Sequence, residues 1–450
     1  MDGEVFCIME RNLTTGSVPK TVLSFSLPYL LSYFLQTLYG MADLFIIGQF
    51  DSTASTTAVS IASQVMHMLT VMIVGLAMGS TVTIGQAIGA GKKRQAATAI
   101  GNTITLFMAL SAVLTAVLLL CVIPILQIMA TPEEALPGAV SYLTICFAGI
   151  PFITAYNIIS SVFRGMGDSK RPMYFIAVAC FANIVLDYIF IGALHMGPAG
   201  AALGTTLSQA LSVVVSLHMI LKTKTGVAPS RADFKPQSEV LSGLLKVGVP
   251  VALQDGFIQI AFIVITVIVN HRGINDAAAV GIVEKIISLL FLVPSSMLSA
   301  VSALSAQNIG AGKPERARQT LRYACMIAVI WGIFVCIVMQ LFAEFFIGLF
   351  SNDPSVVLSG GQYMRGYVFD CIFAGIHFSF SGYFCACRLS LVSFIHNVAS
   401  ILCMRIPLAW IASRFFANTL FPMGLASTAG SMLSVVICLG VFFWMRKRQT

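Results

Sequence analysis

Apolar positions in this chain neither alternate nor line one face of short helices. They fill runs separated by brief clusters of Gly, Pro, Asn and basic residues, at about 19–48, 54–84, 96–127, 136–163, 171–194, 199–222, 243–270, 277–305, 319–349, 357–385, 390–414 and 424–445. Each run reaches the roughly 20 residues that a helix needs to cross a bilayer, and the longer ones allow tilt or extension beyond it. The pattern predicts an all-α polytopic membrane protein with twelve transmembrane helices. The breaks carry turn chemistry, as in Gly89-Ala90-Gly91, Gly197-Pro198, Gly310-Ala311-Gly312 and Asn352-Asp353-Pro354.

Two carboxylates interrupt this pattern. Asp43 lies inside the apolar stretch Pro28 to Gly48, and Asp187 lies inside Asn183 to Ile191. A charge in hydrocarbon costs at least a few kcal/mol, so such residues point to function. Asp51 follows Asp43 by eight residues, and His195 follows Asp187 by eight. At 1.5 Å per residue both acids therefore lie about 12 Å from the same membrane boundary. Thr205 and Thr206, on the next run back, come to the same level. Asn183 sits one helical turn from Asp187, and Gln36 two turns from Asp43. Carboxylate, amide and hydroxyl oxygens at one depth suit either a hard cation or a shared proton. Asp43 and Asp187 are expected to form one ion site.

The chain repeats itself. Gln86-Ala87-Ile88-Gly89-Ala90-Gly91-Lys92-Lys93-Arg94-Gln95-Ala96 recurs as Gln307-Asn308-Ile309-Gly310-Ala311-Gly312-Lys313-Pro314-Glu315-Arg316-Ala317, and Pro28 recurs as Pro250. Six spans return a chain to its starting side, so this is a parallel duplication of two six-helix halves. The expected division is an N-terminal lobe at 1–222, a cytoplasmic linker at 223–242 and a C-terminal lobe at 243–450. The Gly-Lys endings of the duplicated turns do not make a phosphate loop. Helices flank both sides, and Lys93 and Pro314 stand where Ser or Thr is needed.

Composition agrees: 58% of residues are apolar, 10% are charged and mean hydropathy is +0.91, far from a water-soluble globule. The net charge of +8 follows from bases in alternate loops. One side holds Arg11 and Lys20; Lys92, Lys93 and Arg94; Arg164, Lys170 and Arg171; Lys222, Lys224, Arg231, Lys235 and Lys246; Lys313, Arg316, Arg318 and Arg322; Arg388; and Arg446, Lys447 and Arg448. The other keeps Arg272 and Arg414 beside Asp51, Glu133, Glu134, Asp276 and Asp353. Both termini are thus expected on the cytoplasmic side of the cell membrane, with no role for nucleic acid. The prefix, with Asp2, Glu4, Glu10 and Arg11, lacks the pattern of a cleavable signal, so the first run is read as an anchor. The 11 cysteines lie mostly singly in apolar runs and read as packing residues.

These features resemble the multidrug and toxic compound extrusion (MATE) family over essentially the whole length. The resemblance rests on Pro28, Gln36 and Asp43-Leu44-Phe45-Ile46-Ile47-Gly48, the duplicated turns, Arg164-Gly165-Met166-Gly167-Asp168, and Asn183 to Asp187 followed by Gly197-Pro198-Ala199-Gly200-Ala201-Ala202. It implies two pseudo-symmetric six-helix bundles and antiport of organic, often cationic, compounds against H+ or Na+. It is similar to the DinF-like branch, whose N-lobe ion site matches Gln36, Asp43, Asn157, Asn183, Asp187 and Thr205 here. If the ion is Na+, Asp43, Asn183, Asp187 and Thr205 would ligate it. No cofactor beyond the coupling ion and no partner beyond lipid and drug-like substrates are expected, and a monomer suffices.

The second half departs from the first. Asp255, Glu284 and Asp370 lie at other levels, with Lys285 and Arg365 as expected neutralising partners in the Glu284 neighbourhood. Tyr39, Met66, Phe257, Asp255, Phe291 and Asp370 are candidate substrate contacts, since thioethers repack around varied ligands and aromatic faces attract organic cations. A lipid-linked saccharide flippase of related architecture is the alternative, but it calls for a basic intramembrane lining. A membrane enzyme is disfavoured, because no HExxH and no nucleophile–base pair occurs.

Overall fold

In the computed structural model, residues 13–222 and 226–447 are described. Arg11, Lys224 and Arg448 of the topology signal, and the prefix acids Asp2, Glu4 and Glu10, lie outside the described residues.

The described chain is helical, with no strand. The first half runs α1 (Val18–Phe50), α2 (Thr53–Gly89), α3 (Lys93–Leu120), α4 (Val122–Ile128), α5 (Leu136–Ala148), α6 (Ile150–Gly165), α7 (Lys170–Asp187) and α8 (Gly197–Lys222). The second runs α9 (Ser238–Asn270), α10 (Ile274–Leu290), α11 (Leu292–Gly310), α12 (Pro314–Gly348), α13 (Pro354–Tyr367), α14 (Asp370–Ala386), α15 (Ser390–Ser400), α16 (Ile406–Phe415) and α17 (Phe421–Lys447). π-Helical turns follow α7 at Tyr188–Ala193 and join α15 to α16 at Ile401–Arg405. Ten helices cross the length and hydropathy needed for a membrane span; two bent pairs, α5 with α6 at 47° and α13 with α14 at 43°, bring the total to 12. Those pairs are the fourth spans of the two halves. Pro151, in the first turn of α6, accounts for the first bend by removing a backbone donor.

The duplication is written into the backbone. Both glycine turns place Gly in the left-handed region, Gly91 at φ 70° and Gly312 at φ 69°. Lys92 N–H then donates to Ala87 O at 2.9 Å and Lys313 N–H to Asn308 O at 2.8 Å, closing each helix end. Cys121 (φ −100°) breaks the third span of the first half, and Phe342 (φ −124°) breaks its counterpart.

Two compact units result. One holds Leu27–Gly248 with the turn Gly310–Gly312; the other holds Thr15–Ser26, Val249–Ile309 and the chain from Lys313 onward. Each is packed for lipid. Phe181, Val214, Leu221, Ile330 and Phe345 point outward, whereas Ser80, Ser216, Ser302, Ser305 and Ser379 are fully buried. Small polar residues inside let helices approach closely, and apolar chains outside meet hydrocarbon.

Candidate functional site

In the first unit, α1 carries Asp43, α7 carries Asn183 and Asp187, and α8 carries Thr205. The three helices bring these four side chains together. Asp43 is 4% exposed, Asn183 1% and Asp187 0%. The Thr205 hydroxyl donates to Asp43 Oδ2 at 3.1 Å, and the Asp187 and Asn183 side chains lie within interaction distance of the Asp43 carboxyl. Close contact between α7 and α8 depends on a residue the sequence reading passed over. A Cβ at Gly204 would meet Asp187 Oδ1 at 2.1 Å, so glycine is what admits the carboxyl. The Gly200-x-x-x-Gly204 spacing was the available signal. Asp187 is also the last α-helical residue before the π turn, a distortion common at functional positions.

The polar inventory of this pocket is incomplete by itself. Asp43 Oδ1, both Asp187 oxygens and both Asn183 amide atoms are buried without a hydrogen-bond partner. Two carboxylates, an amide oxygen and a hydroxyl form an oxygen-only donor set that fits Na+ or a shared proton. Among the described residues no group of three or more His, Cys, Asp and Glu that could hold a metal ion is present.

Two of the six residues expected here are engaged elsewhere. The Gln36 side chain pairs with Tyr156, and Asn157 Nδ2 donates to Ile153 O in its own helix at 2.8 Å. Tyr39, one turn before Asp43, comes close to the Asp43 carboxyl and to Tyr156. Met66 is buried in the core with Cys146 and Phe147.

In the second unit, Phe257 packs edge-on against Phe394 at 5.8 Å, and Phe291 packs against Tyr367 and Phe378 at 6.4 and 6.1 Å. Asp255 is half-buried, near Cys385, and Asp370 is fully buried with Oδ1 unpartnered. The expected role of Arg365 is corrected. Its guanidinium grips Glu344 through two bonds of 2.6 Å, because α13 turns that face to α12. The cation near Glu284 is instead Arg405, in the π turn, which also lies within electrostatic reach of Asp370. Arg405 donates to the Tyr367 hydroxyl and stands 4.8 Å over the Phe262 ring. It was missed because it interrupts an apolar run, outside both sets of loop bases; as a base within a span it was the counterpart of the acid signal.

A profile of the family described as MatE matches residues 28–189 and again 250–411, once in each half. The chain belongs to the MATE family. It is a membrane transporter, built as the family's all-helical duplicated fold. The Probable multidrug resistance protein YpnP of Bacillus subtilis (strain 168) is 29% identical over 408 residues, covering 90% of this chain and 91% of that protein. The Probable multidrug resistance protein NorM of Thermotoga maritima (strain ATCC 43589 / DSM 3109 / JCM 10099 / NBRC 100826 / MSB8) is 26% identical and covers 91% of this chain and 90% of its own length. Among solved structures, an outward-facing multidrug resistance MATE transporter of the MOP superfamily superposes with a TM-score of 0.90 at 25% identity, over 98% of both chains.

Proposed function

We propose that this MATE transporter exports organic, cationic or amphipathic drug-like compounds in exchange for H+ or Na+ by alternating access. The buried Asp43–Asp187 pair, with its unpartnered oxygens, carries this reading. The names of relatives such as YpnP support the substrate class. Asp43, Asn183, Asp187 and Thr205 would hold the ion, with Gln36 and Asn157 as outlying members of the DinF-like pattern. Tyr39, Met66, Phe257, Asp255, Phe291 and Asp370 would contact the compound. The functional division is 1–222, 223–242 and 243–450, in a cell membrane with both termini cytoplasmic.

An ion that binds one conformation better than the other shifts their populations by its differential affinity and by no more. Adding one positive charge to two adjacent carboxylates relieves their repulsion, so occupancy of the pocket changes which arrangement of α1, α7 and α8 is favoured. The test is efflux of ethidium from vesicles with pH and Na+ gradients imposed separately. Asp43→Asn and Asp187→Asn should each abolish gradient-driven efflux while the inserted protein still binds ethidium, because the amide keeps the shape but cannot cycle its charge. Undiminished pumping by both variants would remove the ion site from this pocket.

A further inference from the structure

The segment that joins the duplicated halves is bonded along α3 rather than hanging as a loose tether. The Thr98 hydroxyl donates to Asp233 Oδ1 at 2.8 Å, and the Thr105 hydroxyl donates to Phe234 O at 2.9 Å. Between them, Asn102 Nδ2 donates to Asp233 O at 3.0 Å and to Lys235 O at 3.2 Å, and its Oδ1 accepts from Gln237 N–H at 2.7 Å. A Cβ at Gly101 would meet Asp233 O at 2.4 Å, so a bare stretch of helix admits the turn. From Arg94 to Thr105 these contacts cover about 16 Å of α3 at 1.5 Å per residue. The exposed apolar side chains of α3 begin just beyond, at Met108, and continue through Val113 and Val117. The turn therefore sits at the edge of the lipid-facing surface.

Its outward side is basic and aromatic. Asp233 is buried and bonded to Arg94, whereas Arg231, Phe234 and Lys235 are exposed. The segments 92–94 and 230–246 together carry six bases, Lys92, Lys93, Arg94, Arg231, Lys235 and Lys246, against two acids, Asp233 and Glu239. The first turns of α9 add a concave surface. Ser238, Leu241, Ser242, Leu245 and Lys246 follow at helical spacing and, with Pro236, line a groove of about 630 Å³. Two half-buried leucines thus lie between exposed hydroxyls and a lysine, and Lys235 immediately precedes Pro236.

We propose that this groove and the turn beside it bind an anionic phospholipid of the cytoplasmic leaflet. The headgroup phosphate lies against Lys235, Lys246 and the two serine hydroxyls, all of which can donate to it. An acyl chain covers Leu241 and Leu245, and Phe234 enters the interface next to it, where aromatic rings are favoured. Arg231 adds to the attraction of the negative leaflet surface. A zwitterionic headgroup carries its own cation and gains less from these bases, and a soluble phosphate leaves the leucines uncovered. The choice of leaflet rests on the orientation proposed above; the seat itself does not.

The experiment places the full chain in vesicles with brominated phosphatidylglycerol or brominated phosphatidylcholine in both leaflets, so orientation does not enter. The reporter is the emission of Phe234→Trp above that of the parent chain. Quenching should show at least about a tenfold preference for the anionic lipid, and Lys235→Gln and Lys246→Gln should each lower that preference about fivefold. Half-molar salt should weaken it as well. Equal quenching by the two lipids overturns charge recognition, and no quenching by either overturns the seat. A second measurement uses the unsubstituted chain, delipidated in detergent. Its thermal midpoint should rise with dihexanoyl phosphatidylglycerol, and less so in Lys235→Gln, but not with dihexanoyl phosphatidylcholine or glycerol 3-phosphate. An equal rise with glycerol 3-phosphate assigns the groove to a free phosphate and overturns the lipid. Thiol labelling at Arg231 reads the orientation separately.

Discussion

Gly204 shows how one missing methyl group can decide whether a site exists. The 2.1 Å approach of its would-be Cβ to Asp187 Oδ1 is relieved only if the carboxyl or one of the two helices shifts. Gly204→Ala should therefore leave the protein inserted but displace the carboxyl, weakening ion affinity by roughly 10–100-fold, the usual effect of disturbing a ligand's support. Efflux of ethidium as a function of the driving ion's concentration reads this directly, and an unchanged half-saturation would show that Asp187 does not ligate. Arg405 makes the complementary point. Its charge was visible in the sequence, but only packing shows that it meets Tyr367, Phe262 and Asp370, and that Arg365 is committed to Glu344.

At the scale of elements, the loops are tied down by specific polar groups. In the linker, the short turn Arg231–Phe234 docks on α3 through Asp233. Asp233 accepts from the Ser230 hydroxyl and N–H, both at 2.7 Å, and from the Thr98 hydroxyl at 2.8 Å. With Arg94 beside it, these bonds hold the carboxyl down at about 2, below its ordinary 3.8. A depressed carboxyl stabilises the docked form above its free pKa, and that contribution is lost as pH falls through the docked value. A dye on a cysteine at the exposed Ala232 should stay immobile from neutral pH to about 4 and loosen between about 4 and 2, whereas Asp233→Asn should be loose throughout. Loosening already near pH 6 would assign the docking to other groups. In the second unit, Arg272 donates to Asp276 at 2.8 Å, Ser413 O at 3.0 Å and Ala417 O at 2.9 Å, joining the α9–α10 loop to the end of α16 and the loop after it. Arg272→Ala strands these acceptors and should cost about 1–3 kcal/mol, read as a lower thermal midpoint in detergent. An unshifted midpoint would mean water replaces the guanidinium without loss.

For the whole molecule, the prediction that follows from loop charge is its orientation. A cysteine at Asp51 or Asp353 should react with an impermeant thiol reagent from outside intact cells, and one at Arg231 only after permeabilisation. Labelling of all three only after permeabilisation would reverse the assignment of sides. Twelve spans were legible in advance because hydrocarbon accepts no unsatisfied backbone, so apolar length alone marks a helix. The two bent spans were read as single runs for the same reason: apolar length is insensitive to a bend at Gly149 or Val368.

By itself the sequence determined the helical membrane class, the duplication, and which intramembrane acids of the first half lie at one depth, since each depends only on local composition, spacing and helical rise. Tertiary structure decided which of the candidate side chains meet. It joined Asp43 to Thr205, Asn183 and Asp187, gave Gln36 to Tyr156 and Asn157 to its own helix, and aligned His377 with His396 across two helices. Rotation of a helix about its axis leaves spacing and depth unchanged, yet it selects which polar side chains meet, and that rotation is set by packing between elements far apart in the chain.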